Sequence, residues 1–176
     1  GKVLSVASEC VPLIKTGGLA DVVGALPGAL ARIGWDMRVL LPAYRSLRPM
    51  LQELAEVARV SLPFGPDAKV HAGVVSGIQV LLMDAPGLFD RDGGPYGGPE
   101  GDWGDNAQRF AALSWVAADM ARHGFEGWKP DVLHAHYEIA YDIARARARR
   151  LSFVLPTSTP AAVSLRGLAG LSIKEY

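Results

Sequence analysis

The strongest constraint in this sequence is a switch of hydrophobic period near its amino end. Val3-Leu-Ser-Val-Ala-Ser8 is an apolar run closing on small and polar residues, as in a strand buried on both faces of a parallel sheet. From Leu19 to Ile33 the apolar residues recur at helical spacing, at Leu19, Val22, Val23, Ala25, Leu26 and Leu30. Met37-Arg-Val-Leu-Leu-Pro42 then returns to a strand pattern and stops at a proline. Strand, helix and strand in this order make a βαβ unit, which sets its two strands in parallel. Pro27 predicts a kink or an end to the first helical segment, and Gly34 a carboxyl-terminal cap.

Beyond this unit the pattern predicts a helix over Leu47–Val57, with Pro49 in its first turn, and short strands at Val60–Leu62, Val70–Val75 and Ile78–Asp84. Gly77 marks a turn between the last two, so a hairpin or meander is inserted into the parallel sheet. Ala85–Asp105 is dense in Gly, Pro and Asp, and a loop of this length is either functional or disordered. Asn106–His123 is the clearest helix, with Phe110, Leu113, Val116, Ala117 and Met120 on one face, Asp105 or Asn106 as its cap and Gly124 after its end. Asp131-Val-Leu-His-Ala-His136 reads as a buried strand ending in polar residues, Tyr137–Leu151 as a helix and Ser152–Leu155 as a strand; Pro156–Tyr176 receives no assignment. Strands alternating with helices give an α/β class with a mainly parallel sheet.

Composition excludes several functions. Eighteen Lys plus Arg balance eighteen Asp plus Glu, so no global field recruits nucleic acid or an anionic membrane; only Arg145-Ala-Arg-Ala-Arg149-Arg150 is a basic run. The single cysteine, Cys10, excludes an internal disulfide framework and suits a reducing compartment as a buried, inert thiol. No apolar stretch approaches the ~20 residues that span a bilayer, and no secretory leader pattern is present, so a cytoplasmic location is expected.

The chemistry concentrates in the loop after the first strand. In open α/β sheets ligands bind beyond the carboxyl ends of the strands, here at Ser8-Glu9-Cys10 and Lys15–Leu19. Gly17 and Gly18 allow close approach of a ligand to the backbone, the following helix points its free N–H groups at the same spot, and Lys15 adds a mobile cation. That combination suits a phosphate or pyrophosphate, although a tight turn beside a solvated lysine has the same pattern. Neither the dinucleotide fingerprint nor a Walker loop is present. His134 and His136 share one face of their strand, with His136 the better placed for a ligand and His134 for a satisfied core position. No third ligand has a spacing that predicts a metal site, and no cofactor is expected.

The run Val3-Leu-Ser-Val-Ala-Ser-Glu-Cys-Val-Pro-Leu-Ile-Lys-Thr-Gly-Gly-Leu-Ala-Asp-Val-Val-Gly-Ala-Leu-Pro27 closely resembles the opening of bacterial glycogen synthases and plant starch synthases. Arg38-Val-Leu-Leu-Pro-Ala-Tyr44, Tyr96-Gly97, Asp105-Asn-Ala-Gln-Arg-Phe110 and Pro130-Asp-Val-Leu-His-Ala-His136 agree with the same family in order, so the resemblance covers residues 2–136. It implies a Rossmann-like three-layer domain, the amino-terminal half of a GT-B glycosyltransferase. The implied reaction passes glucose from ADP-glucose to the 4-hydroxyl at the non-reducing end of an α-1,4-glucan such as glycogen, with retention.

By the same resemblance Lys15, Thr16, Gly17 and Gly18 meet the nucleotide-sugar's phosphates, and fixed N–H donors there stabilise charge developing on the departing diphosphate. Asp21 is expected either to bond sugar hydroxyls or simply to favour the helix start. Glu9 is either a supporting partner of the loop or a solvated carboxylate. Tyr96 and Trp103 either stack on sugar rings or pack their loop onto the body. Asn106 is a cap and, by analogy, a glucan contact; Asp21 and His136 are the candidates for a direct role in catalysis. After His136 the family pattern continues Asp-Trp, whereas this chain has Tyr137-Glu138 and no later histidine. Residues 1–136 are therefore expected to be the family domain and residues 137–176 a divergent tail completing or appended to it, with truncation, a changed reading frame and real divergence all open. Because the family's second domain holds most of the nucleotide, the chain alone is expected to be inactive. A non-catalytic carbohydrate- or nucleotide-binding module is the alternative.

Overall fold

A computed structural model describes residues 1–136 and the backbone of Ser152–Leu155 and Ser172–Glu175. The expected opening unit forms as β1 (Lys2–Val6), α1 (Leu19–Ala31) and β2 (Asp36–Pro42), with β1 and β2 parallel and Val3 opposite Met37. The helix runs on through Pro27 instead of ending there. Ala20, Val23 and Pro27 form its buried stripe, and packing along that stripe outweighs the hydrogen bond the proline removes. Gly34, at φ 81°, closes the helix as expected: Trp35 N–H bonds Leu30 O and Gly34 N–H bonds Ala31 O, a Schellman pair.

The next segment departs from expectation. Instead of a helix over 47–57 and a strand over 60–62, a 3-10 helix η1 (Arg45–Gln52) precedes β3 (Ala55–Val60). Pro49 denies an α-helix one donor, while β3 gains a ladder of bonds to β4 (Ala68–Val75) that local sequence does not disclose. The expected hairpin is present: β4 and β5 (Ile78–Asp84) pair antiparallel about Ser76-Gly77, both at positive φ. Glu56 on the edge strand β3 pairs with Arg59 and Lys69, charges that discourage a further strand from adding there.

One sheet, in the order β10-β9-β8-β1-β2-β5-β4-β3, organises the molecule, with β8 at Val132–Ala135, β9 at Ser152–Leu155 and β10 at Ser172–Glu175. The pairs from β10 through β5 are parallel and the last two antiparallel. The strand expected at 152–155 is therefore present; the helix expected over 137–151 falls outside the described residues. Adjacent residues Val3, Leu4, Ser5 and Val6 are all buried, as are Val39, Leu40 and Leu41, so both faces of the central strands are covered, in three layers.

The segment 85–105 holds a short helix α2 (Pro86–Phe89) and a small ladder of β6 (Gly97–Gly98) with β7 (Gly101–Asp102). Helix α3 (Asn106–His123) follows, with Phe110, Leu113, Val116, Ala117 and Met120 in the core and Gly124 at φ 70° after it. Neither Asp105 nor Asn106 caps α3 through its side chain. Asp105 is held by Arg91 and Asn106 by the loop, partners that compete with the helix's own amides.

Candidate functional site

Parallel register brings the carboxyl ends of β1, β2 and β8 together. Val6 lies opposite Leu40 on β2 and Ala135 on β8, so Ser8-Glu9, Ala43-Tyr44 and His136 all emerge along one rim of the sheet. Helix α1 starts at Gly18 beside that rim, its first N–H groups without intrahelical partners.

Glu9 decides between its two expected roles: it is 3% exposed, not solvated. Its Oε2 accepts from Thr16 N–H at 2.5 Å, Thr16 Oγ1 at 2.7 Å and Gly17 N–H at 3.2 Å. The loop is thus bent around an internal carboxylate, and Gly17's amide is committed to the protein. Gly18 is exposed, at φ −72° and ψ −19°, and no side chain caps α1. A Cβ at Gly18 would meet nothing within 4 Å, and one at Gly17 only Glu9 Oε1, at 3.8 Å. Neither backbone conformation nor internal packing asks for glycine at these two positions, so what they preserve is clear space above the helix start.

Lys15 and Asp21 face each other across that space, Nζ lying 2.7 and 2.8 Å from the two carboxylate oxygens. Both side chains are more than half exposed, so the pair contributes about 0–1 kcal/mol and gives way readily to a stronger anion.

A buried chain of polar contacts joins this loop to segment 85–105. Tyr44 Oη donates to Ser8 O at 2.9 Å, and Ser8 Oγ and Tyr96 Oη lie 2.5 Å apart. Burial, aided by Tyr96 and Glu9, pushes the Tyr44 phenol well up and keeps it a donor. Asn106 Nδ2 donates to Tyr96 O at 2.7 Å, while Arg109 donates to Asn106 Oδ1 at 2.6 Å, Leu88 O at 2.7 Å and Pro95 O at 2.8 Å. Arg109 is 1% exposed and lies over Phe89 and Phe110; burial lowers its pKa. Tyr96 packs on Phe110 at 5.8 Å, and Trp103 is covered by Arg91 with its Nε1 on Gly94 O. Tyr96 thus ties its loop to α3 and to Ser8, whereas the contacts of Trp103 lie within the loop itself. Ser8, Tyr44 and Arg109 carry this network, and sequence pattern marks none of them beyond a buried strand end.

His134 Nδ1 lies 3.2 Å from Ser5 Oγ, the partner directly across in register, as a satisfied core histidine does. The His136 ring stands edge-on to it at 4.8 Å, and its Nε2 is buried without a partner among the described residues. Burial, then the neighbouring His134, brings the His136 pKa down to about 4, so its imidazole is neutral at pH 7. Burial likewise pushes the Cys10 thiol up to about 11, leaving it inert. Among the described residues no group of three His, Cys, Asp or Glu is placed to hold a metal ion.

A mainly parallel sheet covered on both faces, whose first strand runs through a glycine-paired loop into a helix, defines a Rossmann-like α/β domain. The chain belongs to the starch synthase catalytic domain family, whose model matches residues 2–136. It is 66% identical over 137 residues to a glycogen synthase of Cereibacter sphaeroides and 67% identical to that of a second strain. Each of these alignments covers 77% of this chain and 29% of the relative, so the chain spans under a third of the length of these two relatives. A glycogen synthase of Mesorhizobium japonicum is 43% identical over 170 residues, 96% of this chain, a span that runs past residue 136. Among solved structures, the catalytic domain of starch synthase IV from Arabidopsis thaliana, bound to ADP and acarbose, matches at 25% identity with a TM-score of 0.62, covering 87% of this chain and 33% of that one. The amino-terminal half of the GT-B fold, expected from the resemblance, is thereby shown. No helix among the described residues is long and apolar enough to cross a membrane.

Proposed function

We propose that this chain supplies the amino-terminal domain of a retaining ADP-glucose:α-1,4-glucan glucosyltransferase, a glycogen synthase working in the cytoplasm. The observation that carries the reading is the unfilled approach to Gly18 at the start of α1, flanked by Lys15. A diphosphate seated there meets main-chain N–H groups and the positive end of the helix. Lys15 leaves Asp21 for it at little cost, and Asp21, released, faces the sugar's hydroxyls. As the bond to the diphosphate breaks, charge grows on the leaving oxygens, where fixed donors act without reorganising. Neutral His136, with Nε2 unengaged, is suited to a hydrogen bond with the glucosyl unit rather than to repelling a cationic transition state. Thr16, bound through both N–H and Oγ1 to Glu9, shapes the loop; Tyr96 and Asn106 set the acceptor side through the segment they anchor. Residues 137–176 complete the domain in this reading, because β9 and β10 extend the sheet in parallel from β8.

The remaining donors to nucleotide and glucan come from the portion of the relatives this chain does not span, so the test joins the two. Residues 1–136 replace the matching segment of the Cereibacter sphaeroides enzyme, and radiolabelled glucose from ADP-glucose is followed into glycogen. Incorporation is expected, with Lys15→Ala lowering kcat/KM by about a hundredfold, as for loss of a charged contact to a departing group. Wild-type kinetics for Lys15→Ala would remove Lys15 from the phosphate site. Glycogen retention without incorporation would instead favour the binding-module reading.

A further inference from the structure

The structure assigns to Glu9 the role of positioning residue for the phosphate loop: it divides the loop's amides into an inner pair held by the protein and an outer pair left for the ligand. This assignment rests on the diphosphate reading of the site and sharpens it, because Gly17 then does not serve the ligand. One carboxylate oxygen, Oε2, gathers Thr16 N–H, Thr16 Oγ1 and Gly17 N–H on the inner side. Glu9 is nearly fully buried, so the carboxylate end of these bonds is shielded from water although Thr16 itself is exposed. Gly18 and Leu19, next in the chain, begin α1 with N–H groups that no described residue accepts.

The division follows from geometry and charge together. Drawing two successive N–H groups onto one oxygen turns the chain, and the next two, at the helix start, keep no acceptor among the described residues. The same negative charge disfavours a second anion at Thr16 and Gly17, and so directs a phosphate to Gly18, Leu19 and the Lys15 ammonium. Glu9 keeps its own place because the chain behind it is pinned: Tyr44 Oη holds Ser8 O, Cys10 N–H bonds Ile14 O, and Val11 N–H bonds Ala20 O. Glu9 touches no reacting atom. It acts through the loop.

Amide hydrogen exchange and ADP-glucose titration, both followed by NMR on the 176-residue chain, test the assignment in wild type, Glu9→Gln and Glu9→Ala. Thr16 and Gly17 N–H are expected to exchange about tenfold or more slower than Gly18 N–H, as groups bonded to a buried carboxylate do. Glu9→Gln retains most of this protection, since its amide oxygen accepts the same bonds; Glu9→Ala abolishes it. ADP-glucose moves the Gly18 and Leu19 resonances and leaves Thr16 and Gly17 in place, and in Glu9→Ala the change spreads to those two. Equal exchange at Thr16, Gly17 and Gly18 in wild type overturns the assignment. So do Thr16 and Gly17 shifts as large as those of Gly18 with Glu9 intact. Should Glu9→Ala lose the dispersed signals of β1 and β2, Glu9→Gln carries the comparison, and loss of protection there overturns it. If ADP-glucose moves no signal in this chain and does not bind the joined enzyme either, the nucleotide reading fails by itself while the exchange rates still decide Glu9.

Discussion

Two glycines four residues apart in α1 should respond to alanine with opposite signs. In an exposed helix interior, Gly→Ala stabilises by about 0.5–1 kcal/mol. Gly28 meets that description, since it is exposed and a Cβ there has nothing within 4 Å. At Gly24 a Cβ would sit 2.4 Å from Val11 O and 3.3 Å from Val11 C and Cβ. Relieving that overlap requires roughly 1 Å of separation between helix and loop, given ordinary contact distances. Overpacking of this kind costs about 1–3 kcal/mol. It also strains the 3.0 Å bond from Val11 N–H to Ala20 O one turn earlier, worth about 1 kcal/mol. Against the propensity gain, Gly24→Ala should destabilise by about 1–3 kcal/mol net. Urea unfolding followed by far-UV circular dichroism measures both variants, with shifts of about 2–4 °C in Tm per kcal/mol for a chain of this size as a cross-check. Val11 lies between Glu9 and Lys15, so Gly24→Ala should also weaken ADP-glucose binding. Equal stabilisation by the two alanines would show that α1 does not rest on the Val11 main chain, and the account of how the loop is held would fail.

Three further outcomes are expected. His136 is held neutral, its pKa down at about 4 against an ordinary 6.5, so the folded state binds fewer protons than the unfolded one near pH 5. The stability it supports is complete above pH 6.5 and is lost as pH falls towards 4; His136→Gln should flatten the measured unfolding free energy over that window by on the order of 1–3 kcal/mol. Tyr96→Phe removes the bond to Ser8 but keeps the ring on Phe110, so about 1 kcal/mol should be lost in urea unfolding, and KM for glycogen in the joined enzyme should rise. Arg109→Met leaves Leu88 O, Pro95 O and Asn106 Oδ1 without their donor, a loss of about 2–4 kcal/mol; limited proteolysis should then cut within 85–105, and unchanged resistance there would contradict the bracing role.

How far the sequence could be read depended on whether a signal was local. The Schellman end at Gly34, the turn at Gly77 and the full length of α3 were all legible because each depends on residues within a turn or two of chain. The stretch 47–60 was not: its apolar residues fit a helix about as well as a strand, and pairing with β4 decided the matter. Of the two outcomes open at Pro27, an end to the helix did not occur for a related reason, since the proline's local cost is outweighed by its burial. In the site, Lys15, Gly17 and Gly18 stood out by their own chemistry, whereas Ser8, Tyr44 and Arg109 are partners of residues far along the chain.

By itself, then, the sequence determined the α/β class, the parallel opening unit and the family, because hydrophobic period and glycine placement are properties of neighbours. Only the tertiary structure decided that Glu9 is interior, that Gly17's amide faces inward, and that the Gly/Pro-rich segment is a brace. Burial and hydrogen-bond partnership across distant strands are set by how the sheet assembles, and no local pattern encodes them.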